Sequence, residues 1–181
     1  MNPQMDVLYM KSFGQVLAIF TRASEPDTIE STPTTFIGDG LHLRGIVDPG
    51  DPAIDVVVPP SQLALTRVDL NPAQLLMPRS LCVKDPQNPS ALSDFLNAAP
   101  PIVTHAAGPP PSLTVTATAV ASGTPILALI AAAPAGNPMT ITGSFPATGL
   151  VTLILPSLPS GTYYAVAFVP GYPVGVQDFL I

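Results

Sequence analysis

Proline occupies 24 of the 181 positions and punctuates the chain every few residues. Each proline removes a backbone N–H and pushes its ring into the preceding helical turn, so long helices are ruled out. Disordered chains are also rich in proline, but they are poor in apolar residues. This chain is 47% hydrophobic and has a mean hydropathy of +0.44. Proline in such a background marks turns between short buried strands, and the sequence reads as all-β.

Charge divides the chain in two. All six basic residues (Lys11, Arg22, Arg44, Arg67, Arg79 and Lys84) lie in the first 84 positions, and from Phe95 to Gln177 there is no Asp, Glu, Lys or Arg. The shift falls near Pro100-Pro101, after a short helix expected at Ser90–Asn97, and a second run, Pro109-Pro110-Pro111, stiffens the approach to the next strand. The expected organisation is an N-terminal β domain over 1–97, a Pro-rich linker over 98–111 and a β-sandwich over 112–181.

In the first half, strands are expected at Asp6–Met10, Gln15–Arg22, Leu41–Val47, Ile54–Val58, Gln62–Leu70 and Leu75–Val83. Lys11–Gly14 is the turn of a hairpin between the first two. These segments suit a small barrel or sandwich. In the second half Leu113–Ala121 alternates with period two. Further strands are expected at Ile126–Ala132, Met139–Phe145, Leu150–Leu155, Thr162–Val169 and Val174–Ile181. Ser122-Gly123, Gly136-Asn137-Pro138, Thr148-Gly149, Pro159-Ser160-Gly161 and Pro170-Gly171 separate them. Six or seven strands at that spacing form a β-sandwich.

The run from Gly149 through Leu158-Pro159-Ser160-Gly161-Thr162-Tyr163-Tyr164, followed by Pro170-Gly171-Tyr172, resembles the end of bacterial immunoglobulin-like and carboxypeptidase-regulatory-like modules. The resemblance covers roughly residues 101–181. It implies a seven-stranded immunoglobulin-like sandwich used as a spacer or binding unit without catalysis. Gly161 would occupy a positive-φ turn position. Tyr163 would bury its ring and bond its hydroxyl to backbone, as a tyrosine corner does.

Several functions are disfavoured on composition. A net charge of −6 with six basic residues gives no footprint for nucleic acid or for an anionic membrane. No apolar run approaches the length of a membrane-spanning helix. The first residues, Met1–Asp6, lack the pattern of a signal peptide, so synthesis in the cytoplasm is expected, with release or surface display as part of a particle left open. One cysteine, Cys82, excludes an internal disulfide, and its apolar neighbours make it a small core residue rather than a reactive thiol.

Candidate chemistry is sparse. His42 sits on the polar side of a strand and His105 in the linker, and each reads as a solvated or backbone-bonded histidine, since a functional one needs an orienting partner. No Gly-x-Ser-x-Gly elbow and no phosphate-binding Gly-x-x-x-x-Gly-Lys pattern occurs. Asp48, Asp51 and Asp55 place three oxygen donors in one loop, a weak candidate for Ca²⁺. Their spacing matches no EF-hand, and Asp-Pro-Gly-Asp-Pro is an ordinary turn sequence. No cofactor, metal or catalytic residue is assigned, and an enzyme is not expected.

Assembly is the favoured reading. Exposed sheet faces and edges usually carry charge, above all Lys, which prevents strand addition and stacking. The uncharged half has none, and a large neutral surface marks an interaction site. The expected interface residues are Thr114, Thr116 and Thr118, with Tyr164 and Tyr172 from the tyrosine cluster. The expected role is a non-catalytic structural subunit that packs with copies of itself or with other subunits, as in a phage-tail-like or injection particle, a capsid decoration or a surface appendage. The alternative is a carbohydrate- or receptor-binding module.

Overall fold

In a computed structural model, residues 4–21, 32–45, 54–69, 71–75, 80–87, 89, 91–95, 99–132 and 138–181 are described. The elements run β1 (Gln4–Met10), β2 (Val16–Thr21), α1 (Pro33–Ile37), β3 (Leu41–Gly45), β4 (Ile54–Val58), a 3-10 turn (Pro60–Gln62), β5 (Leu63–Asp69), α2 (Pro72–Leu75), β6 (Leu81–Val83) and β7 (Leu92–Asp94). They continue as β8 (Ile102–Ala106), β9 (Ser112–Thr116), β10 (Pro125–Ala132), β11 (Met139–Ser144), β12 (Leu150–Ile154), β13 (Thr162–Phe168) and β14 (Gly175–Leu180). The fold is all-β, and its helical pieces are single turns that each begin with a proline: Pro33, Pro60 and Pro72. There the missing N–H costs nothing, because the first turn of a helix has no partner for it.

The last seven strands form the sandwich. One sheet has the order β11-β10-β13-β14 and the other β12-β9-β8, all neighbours antiparallel. Leu113, Val115, Ile126, Ile130, Phe145, Leu153, Tyr163 and Phe179 are among the side chains that fill the space between them. All six strands expected from the alternation pattern are present. The seventh, β8, lies in the segment expected to be linker. Val103 faces the sandwich core and the strand pairs along its length with β9. Near Gly175 of β14 the opposing sheet comes so close that a Cβ would stand 2.7 Å from the Pro101 carbonyl oxygen. Only glycine lets this side of the sandwich close.

The N-terminal strands form a sheet of order β2-β1-β5 and two ladders, β3-β4 and β6-β7. The hairpin turn expected at Lys11–Gly14 joins β1 to β2, with Gly14 at φ 78°. Ser90–Asn97 is not a helix where it is described: Leu92–Asp94 is strand β7, held by pairing with Leu81–Val83. Leu75–Val83 is not one strand, since α2 ends at Leu75 and β6 begins only at Leu81. Gly161 has no positive φ. Its N–H and C=O pair with Ile181, and a Cβ there would meet only Tyr163 at 3.8 Å.

The two halves share a core. Along β10, Ile126, Ala128 and Ile130 point into the sandwich, while Leu127, Leu129 and Ala131 point out of it. On β13, Tyr163, Ala165 and Ala167 point in, while Tyr164, Val166 and Phe168 point out. The outward set is covered by Leu8, Met10, Phe13, Leu17, Val56, Val58 and Leu63 of the N-terminal half. The other face of β1, with Met5, Val7 and Tyr9, packs against Val68, Leu81 and Val83. Three strands are thus buried on both faces. Gln15, fully buried, donates from Nε2 to the carbonyl oxygens of Val169 (2.5 Å) and Tyr172 (3.4 Å), tying the start of β2 to the end of the sandwich. Asp6 on β1 lies opposite Arg67 on β5, with Nε to Oδ1 at 3.2 Å.

A fragment of residues 99–181 is therefore expected to expose Leu127, Leu129, Tyr164, Val166 and Phe168, bind a hydrophobic dye strongly and aggregate. A fragment that stays monomeric and silent toward the dye would show that the N-terminal cover is dispensable.

Candidate functional site

Strands β8, β9 and β12 alternate in register. Val103, Leu113, Val115, Val151 and Leu153 point inward, so the residues between them share the outer face. Pairing sets these in three rows: Leu150, Thr116 and Ile102; Thr152, Thr114 and Thr104; Ile154, Ser112 and Ala106. Neighbours stand about 4.8 Å apart across strands and about 6.8 Å apart along them. The four corners are aliphatic, and hydroxyl groups fill the middle column and the middle row. Ile102 is 65% exposed, Ile154 57% and Leu150 44%.

None of the nine side chains ionises, so the face has no charge at any working pH. It offers hydroxyls and aliphatic carbon and no paired nucleophile and base, an arrangement suited to contact rather than to bond making. Beyond the row of Ile154, Ser112 and Ala106 the neutral surface continues into a hollow of about 470 Å³ lined by Ala107, the Pro109–Pro111 run, Leu155 and Leu180. The opposite sheet presents no such continuous face: its two middle strands are covered by the N-terminal half, its β11 margin exposes Thr140, Thr142 and Ser144, and its β14 margin exposes Val176 and Leu180 with Asp178 between them.

Of the expected interface residues, Thr114 and Thr116 lie on this face. Thr118 does not, because β9 ends at Thr116 and Thr118 is in the following turn, where its carbonyl accepts the Tyr172 hydroxyl at 2.6 Å. Tyr164 and Tyr172 are buried, Tyr164 against the N-terminal half and Tyr172 in the sandwich core, so both serve packing within the chain. Tyr163 donates its hydroxyl to the Pro159 carbonyl at 3.0 Å, the tyrosine-corner bond. Ile102, Leu150 and Ile154 were not among the expected interface residues. Both parities of Leu150–Leu155 are largely aliphatic, and Ile102 falls in a segment whose prolines read as linker.

The remaining candidates are dispersed. His42 is exposed on β3. His105 is on β8, not in a linker, and its ring stacks on Phe179 with centroids 4.5 Å apart. Cys82 is buried on β6, with Sγ 3.3 Å from Ser93 Oγ. Asp48 and Asp51 lie outside the described residues, as does the Asp55 side chain. Among the described residues no three His, Cys, Asp or Glu side chains gather as a metal site. Burial pushes the Tyr9 phenol above its ordinary value. No helix among the described residues is long and apolar enough to cross a membrane.

No protein family matches the sequence, and no curated protein matches it. The crystal structure of a hypothetical protein from Pyrococcus horikoshii OT3 is similar at 8% identity and a TM-score of 0.34, over 49% of this chain and 91% of that one. A likeness that slight defines neither fold nor role.

Tyr163→Phe and Tyr172→Phe should each lower stability by about 1 kcal/mol, the net worth of one hydrogen bond, and leave the solution mass unchanged. Unaltered melting would remove the two hydroxyls from the account of the sandwich, and a changed mass would return these rings to an interface.

Proposed function

We propose that this protein is a non-catalytic structural subunit of a larger protein assembly and that the outer face of β8, β9 and β12 is its contact surface. One observation carries the reading. A three-stranded face with Ile102, Leu150 and Ile154 exposed has no charged residue on it. Water-facing sheets ordinarily carry charge that blocks stacking. The remainder of the neutral half supports the same conclusion. Its other broad apolar surface, over β10 and β13, is covered by the chain itself. Among the described residues the other exposed large aliphatic side chains are Val176 and Leu180 on the β14 margin, where Asp178 stands between them, so this face is the broadest uncharged one. A phage-tail-like or injection particle, a capsid decoration and a surface appendage are the settings that suit such a subunit.

The competing reading, a carbohydrate- or receptor-binding module, lacks support in the placement of aromatic rings. A sugar platform needs an exposed flat ring, and all four tyrosines are buried while tryptophan is absent.

Thr114→Lys places a charge at the centre of the face without touching either core. In extracts of the native cells, the wild-type chain is expected to sediment with a particle many times its 18.7 kDa and the variant to sediment near that mass. A wild-type chain that itself sediments at the mass of a monomer would overturn the assignment.

A further inference from the structure

We infer that the occupant of this face is the same face of a second copy of the chain, related by a two-fold axis through Thr114. The inference rests on the reading of β8, β9 and β12 as the contact surface.

A closed dimer needs a patch that complements itself. The three rows do so in either of the two in-plane orientations. With the axis along β9, Ile102 of one copy falls over Leu150 of the other, and Ala106 falls over Ile154. With the axis across the strands, Leu150 falls over Ile154 and Ile102 over Ala106. In both cases aliphatic corners meet aliphatic corners, hydroxyl-bearing positions meet one another, and Thr114 meets its own copy. Face-to-face packing of two sheets keeps strands within about 30° of alignment, which preserves these pairings near the centre.

Charge restricts such a contact to this side of the molecule. Each copy carries a net charge of −6, and every acidic residue except Asp178 precedes Phe95. Two like-charged molecules approach at least cost through the side that holds no charge. The size of the face sets the strength. Three strands by five residues cover about 14 by 17 Å, well under the roughly 800 Å² per partner of a stable complex. The hollow beside Ala107 and Leu155 extends the patch only modestly. One such contact gives a weak dimer, useful chiefly where other contacts hold the copies close.

The test uses purified full-length protein. Thr114→Cys treated with a short bismaleimide is expected to form a covalent dimer in a yield that rises with protein concentration. It should do so several-fold faster than Thr142→Cys, which is exposed on β11 and outside the face. The wild type, whose one cysteine is buried, should not cross-link. Because the surfaces in contact are neutral while each copy carries a net charge of −6, sodium chloride should not lower the yield and should raise it modestly by screening the repulsion, and sulfate should raise it further. Equal yields from the two variants, or no dimer at the highest soluble concentration, would overturn the two-fold contact. If that occurs while Thr114→Lys still releases the chain from its native particle, the face binds a different protein and the subunit reading survives. If Thr114→Lys also has no effect, both readings fall.

Discussion

Two neighbouring strands that are apolar on both faces control this molecule. A strand presents alternate side chains to opposite sides, so β10 and β13 create two hydrophobic surfaces back to back. One is closed by the three-stranded sheet of the sandwich. The other needs a cover that a lone sandwich does not possess, and the N-terminal half of the chain supplies it with Leu8, Met10, Val56, Val58 and Leu63. The N-terminal strands are thus better understood as a lid over the β10–β13 pair than as an accessory. Their own second face is closed in turn by β6 and its neighbours.

This layering resolves where the missing charge is tolerated. The neutral stretch from Phe95 to Gln177 is not uniformly in want of a partner. Much of it is interior, and the middle of one outer surface is hidden within the chain. Among the described residues the broadest uncovered neutral surface is the nine positions on β8, β9 and β12, with narrower margins on β11 and β14, a more specific claim than a greasy half-protein.

Much of this fold could be read from residue patterns. Turn residues and period-two alternation located six of the seven sandwich strands, because those signals act locally. The tyrosine corner at Tyr163 was legible for the same reason: its ring and the Pro159 carbonyl that it reaches are four residues apart. What escaped depends on distant partners. Leu92–Asp94 becomes a strand through pairing with Leu81–Val83, and context of this kind overrides local preference. Ile102–Ala106 sits among prolines and reads as linker until β9 is beside it. Tyr164 and Tyr172 look alike in sequence as candidate surface rings, yet the first is enclosed by residues more than 100 positions earlier and the second by the Thr118 turn. An apolar run such as Ile126–Ala132 announces burial but not that its two sides belong to different cores.

Gln15 has a bearing on how the molecule is made. Its Nε2 donates to the carbonyls of Val169 and Tyr172, more than 150 residues downstream. During synthesis the sheet of β1, β2 and β5 leaves the ribosome long before β10 and β13 exist, with its oily side open to water. It must wait in that state for most of the chain to be translated, and chains dominated by such remote pairings fold slowly. The price of using one's own beginning as a lid is a nascent protein that needs sheltering until its last strands arrive.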